Sequence, residues 1–133
     1  MAVSQIGLTQ WLAVGGGAAL GAWSRWGLGL AFGSTGFAMG TLLANLIGGF
    51  LMGCALAYFA NTLAQNELRL FAMTGFLGGL TTFSAFSAEA FSFLQKQQYA
   101  WLAAHMSSHV IGSLFMTGLG FDGALFKKLV NKA

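Results

Sequence analysis

Charge is what this sequence has least of. Only 7% of its 133 residues are charged, three acidic and six basic, against about a quarter in an ordinary soluble domain; a cytosolic globular protein is therefore not expected. Three carboxylates and two histidines cannot assemble an acid pair or a nucleophile triad, and no Gly-x-x-x-x-Gly-Lys phosphate loop occurs, so catalysis is not expected either. The one cysteine, Cys54, cannot form an intramolecular disulfide and reads as a buried small hydrophobe. Proline is absent, yet 20 glycines and 13 phenylalanines exclude a disordered chain, which needs few aromatics and a high net charge. The formal net charge is +3, but Lys127, Lys128 and Lys132 crowd the C-terminus. No basic face remains for nucleic acid.

What is present is apolar: 56% hydrophobic residues with a mean hydropathy of +0.71. Uncharged intervals of 41 residues separate Arg25 from Glu67, 19 separate Arg69 from Glu89, and 25 separate Lys96 from Asp122. A helix crossing a bilayer needs about 20 predominantly apolar residues. The pattern predicts an all-α integral membrane protein, a single transmembrane domain over 1–133. Its four spans fall at about 7–32, 37–60, 70–94 and 99–121, and 122–133 forms a polar tail. The first apolar segment lacks the basic flank of a signal peptide and is read as retained. Short links at 33–36, 61–69 and 95–98 favour antiparallel neighbours, and Trp11, Tyr58, Tyr99 and Trp101 fall near span ends, where amphipathic rings prefer the interface. The glycine pairs Gly17/Gly21, Gly29/Gly33, Gly36/Gly40, Gly49/Gly53 and Gly75/Gly79 have the spacing that lets helices approach closely in lipid.

Basic residues divide weakly between the two sides. With the N-terminus inside, Arg69 and the tail lysines oppose Lys96 and Arg25, so the positive-inside bias rests on the tail. That permits insertion both ways round and hence an antiparallel pair. Four glycine-faced helices also leave little room for an aqueous path through their own middle, so a conduit at a homodimer interface is expected.

The stretch from Thr74 to Ser87 lies within the third span and is rich in glycine and β-branched residues, which lower helix propensity. Two arrangements fit it. One is a straight helix with hydroxyls bonded to the preceding turn. The other is a broken helix, tolerated at membrane depth only where it is buried or lines a cavity, with carbonyls offered to a cation and N–H groups to an anion. Phe83 and Phe86 share a helical face, and their positive ring edges suit a small anion, with Thr82, Ser84 and Ser87 beside them; lipid contact is the plainer role.

Arg25 is costly in a span, as a vestibule charge for anions or as a side chain reaching to the interface. Glu89 pairs with a cation or lines the opposite mouth. Asn45 is interhelical glue or an anion ligand. His109, Ser113 and Thr117 recur every four residues as one polar stripe. His105 is four before His109, but two histidines without carboxylates or thiolates make a poor metal site.

With these residues the chain resembles the Fluc (CrcB) family of bacterial fluoride channels. The likeness is carried by Arg25-Trp26, Gly40-Thr41-Leu42 leading to Asn45, Gly75 through Ser87 with its Thr81-Thr82-Phe83-Ser84-Ala85-Phe86-Ser87 run, and Gly112-Ser113. The resemblance implies passive, selective fluoride export across the bacterial inner membrane by a dual-topology antiparallel homodimer. It also implies a broken third helix and a central structural Na+ held by the backbone carbonyls of Gly78 and Thr81 from both subunits. Phe83 and Phe86 would be the fluoride-facing rings and Asn45 the pore amide. Ser84, His109, Ser113 and Thr117 would belong to the polar track, and Arg25 would be the vestibule charge. Two departures stand out: Ala85 where the family usually has Thr, and His109 where some members have Tyr. A small multidrug-type antiporter is the alternative, but it wants a carboxylate in the first span, and the first acidic residue here is Glu67. A scaffold subunit would leave the Thr/Ser/Phe run unexplained.

Overall fold

The computed structural model describes residues 6–33, 37–60 and 66–131, and every element among them is helical. Helix α1 spans Leu8–Phe32 and α2 spans Met39–Phe59. The third rod, Asn66–Gln95, is composite. It begins with α3 (Asn66–Arg69), widens into a π-helical stretch, π1 (Leu70–Leu77), tightens again in α4 (Gly78–Leu80), and resumes after two extended residues as α5 (Phe83–Gln95). Helix α6 spans Tyr99–Val130 and so continues past Phe121, through the segment read as a polar tail. The links at 34–36 and 61–65 lie outside the described residues, as do Gly36 and Lys132.

Helix α2 and the third rod are each long and apolar enough to cross a membrane; the 21 residues of α2 rise about 31 Å at about 1.5 Å per residue, close to the hydrocarbon thickness of about 30 Å. Helices α1 and α6 are longer still, with 25 and 32 residues, but interrupt their apolar runs with glycines, Arg25, His105 and His109. The outer faces are those of a protein solvated by lipid. Leu114, Phe115 and Trp26 project outward, 73%, 64% and 66% exposed, an apolar surface that water would not tolerate. The apolar core is correspondingly small: Ala44, Leu77 and Leu80, with Leu28, Met52, Ala55 and Phe76 packed on them.

Two seams hold the rods together. Helix α1 lies against π1 and α4, and α2 against α6. At the first seam Gly17 and Gly21 meet the backbone around Gly75 and Gly79; a Cβ added at Gly75 would stand 2.7 Å from Val14 O. At the second, a Cβ at Gly49 would stand 2.8 Å from Ser113 O, and Gly53 faces the Thr117 carbonyl. Close approach in lipid gains dispersion contact that larger side chains would prevent. It also brings the polar stripe of α6 against α2, and α1 against the break in the third rod. Cys54 is half-buried on α2, more open than its sequence context predicts.

Candidate functional site

The third rod breaks at Thr81 and Thr82. Thr81 leaves the helix with ψ 153° and Thr82 is extended at φ −150°, ψ 123°. The Thr82 N–H, which an unbroken helix would give to the Gly78 carbonyl, donates to Asn45 Oδ1 at 2.8 Å. Asn45 Nδ2 donates to the Thr82 carbonyl at 3.1 Å. The Asn45 amide thus pairs with both polar groups of one broken residue, as a neighbouring strand would, and settles their hydrogen bonding at membrane depth. The hydroxyl of Thr82 caps the new helix by accepting from Ala85 N–H at 3.1 Å. That bond diverts the donor an unbroken helix would give to the Thr81 carbonyl. Thr81 itself follows the back-bonded pattern, its hydroxyl donating to Leu77 O at 2.8 Å.

Arg25 reaches the same break from α1, its Nε donating to Gly79 O at 3.2 Å. The arginine therefore ends on a carbonyl of the interrupted rod, part-buried, where its charge meets the negative end of that half-helix.

Beyond Asn45 the polar groups continue into α6. Asn45 Nδ2 also lies 2.9 Å from His109 Nδ1. His109 is buried beside His105, ring centroids 4.4 Å apart. Phe86 packs on both histidines, stacked on His105 at 5.2 Å and tilted to His109 at 4.9 Å. Its partner ring Phe83 lies 5.3 Å away but is 77% exposed, whereas Phe86 is 7% exposed. The pair therefore joins the buried cluster to the outer face. Glu89, one turn beyond Phe86, accepts from the Thr41 hydroxyl at 2.6 Å and brings Oε2 to 3.5 Å from His105 Nε2.

A groove of about 380 Å³ collects much of this chemistry; Asn45, Thr81, Thr82, Phe83, Phe86, His109, Ser113 and Thr117 line it together with Gly48 and Gly49. Thr117 bonds back to Ser113 O at 2.9 Å. The structure does not gather every candidate there. Ser84 and Ser87 lie exposed on α5, with Ser84 Oγ 3.1 Å from Thr82 Oγ1. Arg25 meets the break from α1, Gly78 lies at the start of α4 just before it, and Glu89 is in the histidine cluster. Sequence reasoning gives Thr41 and the Gly79 carbonyl no part in the site. Thr41 precedes Asn45 by one helical turn, a spacing that places both on one face, whereas the Arg25–Gly79 contact spans 54 residues and leaves no local trace. The expectation of a poor metal site at His105 and His109 also needs correction, because folding adds the Glu89 carboxylate: ligating atoms of all three lie within 4.8 Å of one another.

Four rods with apolar exteriors, closed around a break whose polar groups are met from neighbouring rods, define an all-helical membrane protein. The chain belongs to the CrcB-like (camphor resistance, CrcB) family, whose model matches residues 12–121. A Nitrosospira multiformis protein named fluoride-specific ion channel FluC is 52% identical over 118 residues, covering 86% of this chain and 92% of its own. Proteins of the same name from Acinetobacter baylyi and Pseudomonas aeruginosa are 50% and 54% identical over 111 and 112 residues, each covering 82% of this chain and 88% of their own.

Proposed function

We propose that the chain forms a passive, fluoride-selective channel that exports fluoride across the bacterial inner membrane, working as an antiparallel pair of copies. The observation that carries this reading is the groove in which broken backbone, the Asn45 amide and the Phe83–Phe86 rings converge, in a chain about half identical to proteins named fluoride-specific channels. Fluoride is strongly hydrated, and a selective path must replace its water with donors and polarised ring edges at close quarters. Phe83, Phe86, Thr82, Ser84, Ser87, Asn45, His109, Ser113 and Thr117 are the residues assigned to that path, with Arg25 drawing anions to it and Glu89 at its far mouth.

The pairing is supported by what one copy leaves outward. Phe83 and a groove containing hydroxyls and an amide open to the outside of a single chain, and polar groups facing hydrocarbon are expensive. A second copy would cover them. A central Na+ fits the break because the ordinary helical donors of the Gly78 and Thr81 carbonyls are both diverted, one to Asn45 and one to Thr82 Oγ1. Those carbonyls, from both copies, are the oxygens that would hold it, and the ion would supply a fixed positive charge between the two paths.

The test is efflux from liposomes loaded with potassium fluoride and potassium chloride and read with ion-selective electrodes. Fluoride release on addition of valinomycin, with chloride retained, is expected. Equal release of both halides, or of neither, rejects the reading.

A further inference from the structure

Among the described residues, three buried polar atoms have no hydrogen-bond partner: Glu89 Oε2, His105 Nδ1 and His109 Nε2. They belong to the three side chains whose ligating atoms cluster within 4.8 Å. Both histidines are more than nine-tenths buried, at 0% and 4% exposed. Orphaned polar atoms at such depth call for an occupant. We propose that Glu89, His105 and His109 form a binding site for a divalent transition ion of the zinc class, and that filling it slows the anion path. The second half rests on the channel reading above; the first half does not.

The donor set selects the ion. Two imidazoles and one carboxylate suit zinc and its neighbours, with an open fourth position for water, whereas calcium and magnesium require more oxygens than the cluster offers. Histidines four apart on α6 present both rings from one helical face. The carboxylate is oriented from behind by Thr41, whose bond to Oε1 leaves Oε2 toward His105. His105 Nε2 also lies 3.3 Å from the Phe86 carbonyl, a contact that ligation through this nitrogen would replace. A cavity of about 370 Å³ lined by Phe37, Phe93, Gln98 and Trp101 adjoins the site, and the Phe37 and Phe93 rings each stand 5.5 Å from His105. It is a way in.

Coupling to the path follows from the tautomer of His109. Because Asn45 Oδ1 accepts from Thr82 N–H, Nδ2 is the atom that faces His109. His109 Nδ1 must therefore accept, and Nε2 carries the ring proton. A metal on Nε2 requires that proton to move to Nδ1 of the same ring. Two donors would then oppose each other where a 2.9 Å hydrogen bond stood. Asn45 is pushed from its partner, and with it the clasp on Thr82 in the groove.

Purified full-length chain in detergent, dialysed against Zn2+, is expected to bind about one zinc per chain, and Co2+ in its place to give the visible absorption of a four-coordinate site. His105→Phe keeps the aromatic stack on Phe86 and removes one ligand; it is expected to weaken zinc binding by at least ~100-fold. His105→Gln serves the same purpose should His105→Phe not elute as folded protein. In liposomes, zinc is expected to slow fluoride efflux of the unaltered chain by at least ~10-fold, reversibly with EDTA, and to leave His105→Phe at its own zinc-free rate. Zinc bound no better by the unaltered chain than by the variants overturns the site. Zinc bound with efflux unchanged overturns the coupling. Zinc binding in a chain that releases no fluoride keeps the site and rejects the channel reading instead.

Discussion

Asn45 makes three contacts with one amide, to the N–H and carbonyl of Thr82 and to His109. Replacing it with leucine, of similar volume, orphans two backbone groups in a medium without water, at about 1–3 kcal/mol for each group left unsatisfied. Asn45→Leu is therefore expected to unfold at markedly lower denaturant in mixed micelles, read by loss of helical ellipticity. The two phenylalanines have separable roles. Phe86 packs against both histidine rings and is buried, whereas Phe83 is exposed within one copy. Phe83→Ile is expected to abolish fluoride efflux while leaving the elution volume of the protein unchanged; efflux at the unaltered rate would remove the ring-edge mechanism. Residue types and spacing make most of these positions legible, since an amide, two rings and a hydroxyl run stand out in an apolar sequence. Their pairings are not, because Asn45 and Thr82 are 37 residues apart and only folding brings them together.

Elements explain why the break falls where it does. Thr81 ends one helix by its extended backbone and Thr82 starts the next, its hydroxyl capping α5. Thr82→Ala is expected to destabilise the chain by about 1 kcal/mol and Thr82→Ser by much less, measured in the same micelle titration. The glycine seams give a second contrast. Gly75→Ala would drive a methyl group toward Val14 O and the backbone of α1, whereas Gly118 has open space. Gly75→Ala is expected to lower the midpoint of unfolding and Gly118→Ala to leave it level or raise it slightly. Paired glycines and β-branched residues mark the break in the amino-acid sequence itself. The widened coil of π1 carries no such mark, since its Gly78 N–H reaching Met73 O reflects how Gly75 and Gly79 seat against α1 rather than any local propensity.

At the scale of the whole molecule the balance of basic residues decides orientation. Gln98→Cys, in a background with Cys54→Ala, is expected to be labelled by an impermeant thiol reagent from both sides of the membrane in comparable amounts. Labelling from one side alone would exclude an antiparallel pair. The rods are legible as a count and as approximate limits because charge is so sparse. The end of α6 is not, since nothing in a lysine-bearing terminus separates a helix from a frayed end. One contact between rods has a consequence for the surroundings. A guanidinium fastened to the Gly79 carbonyl, near the midpoint of the third rod, cannot climb to the headgroups as basic side chains near helix ends do. The level of that positive charge is thus fixed by protein rather than by lipid, and it stays put when the molecule is moved between thin and thick bilayers.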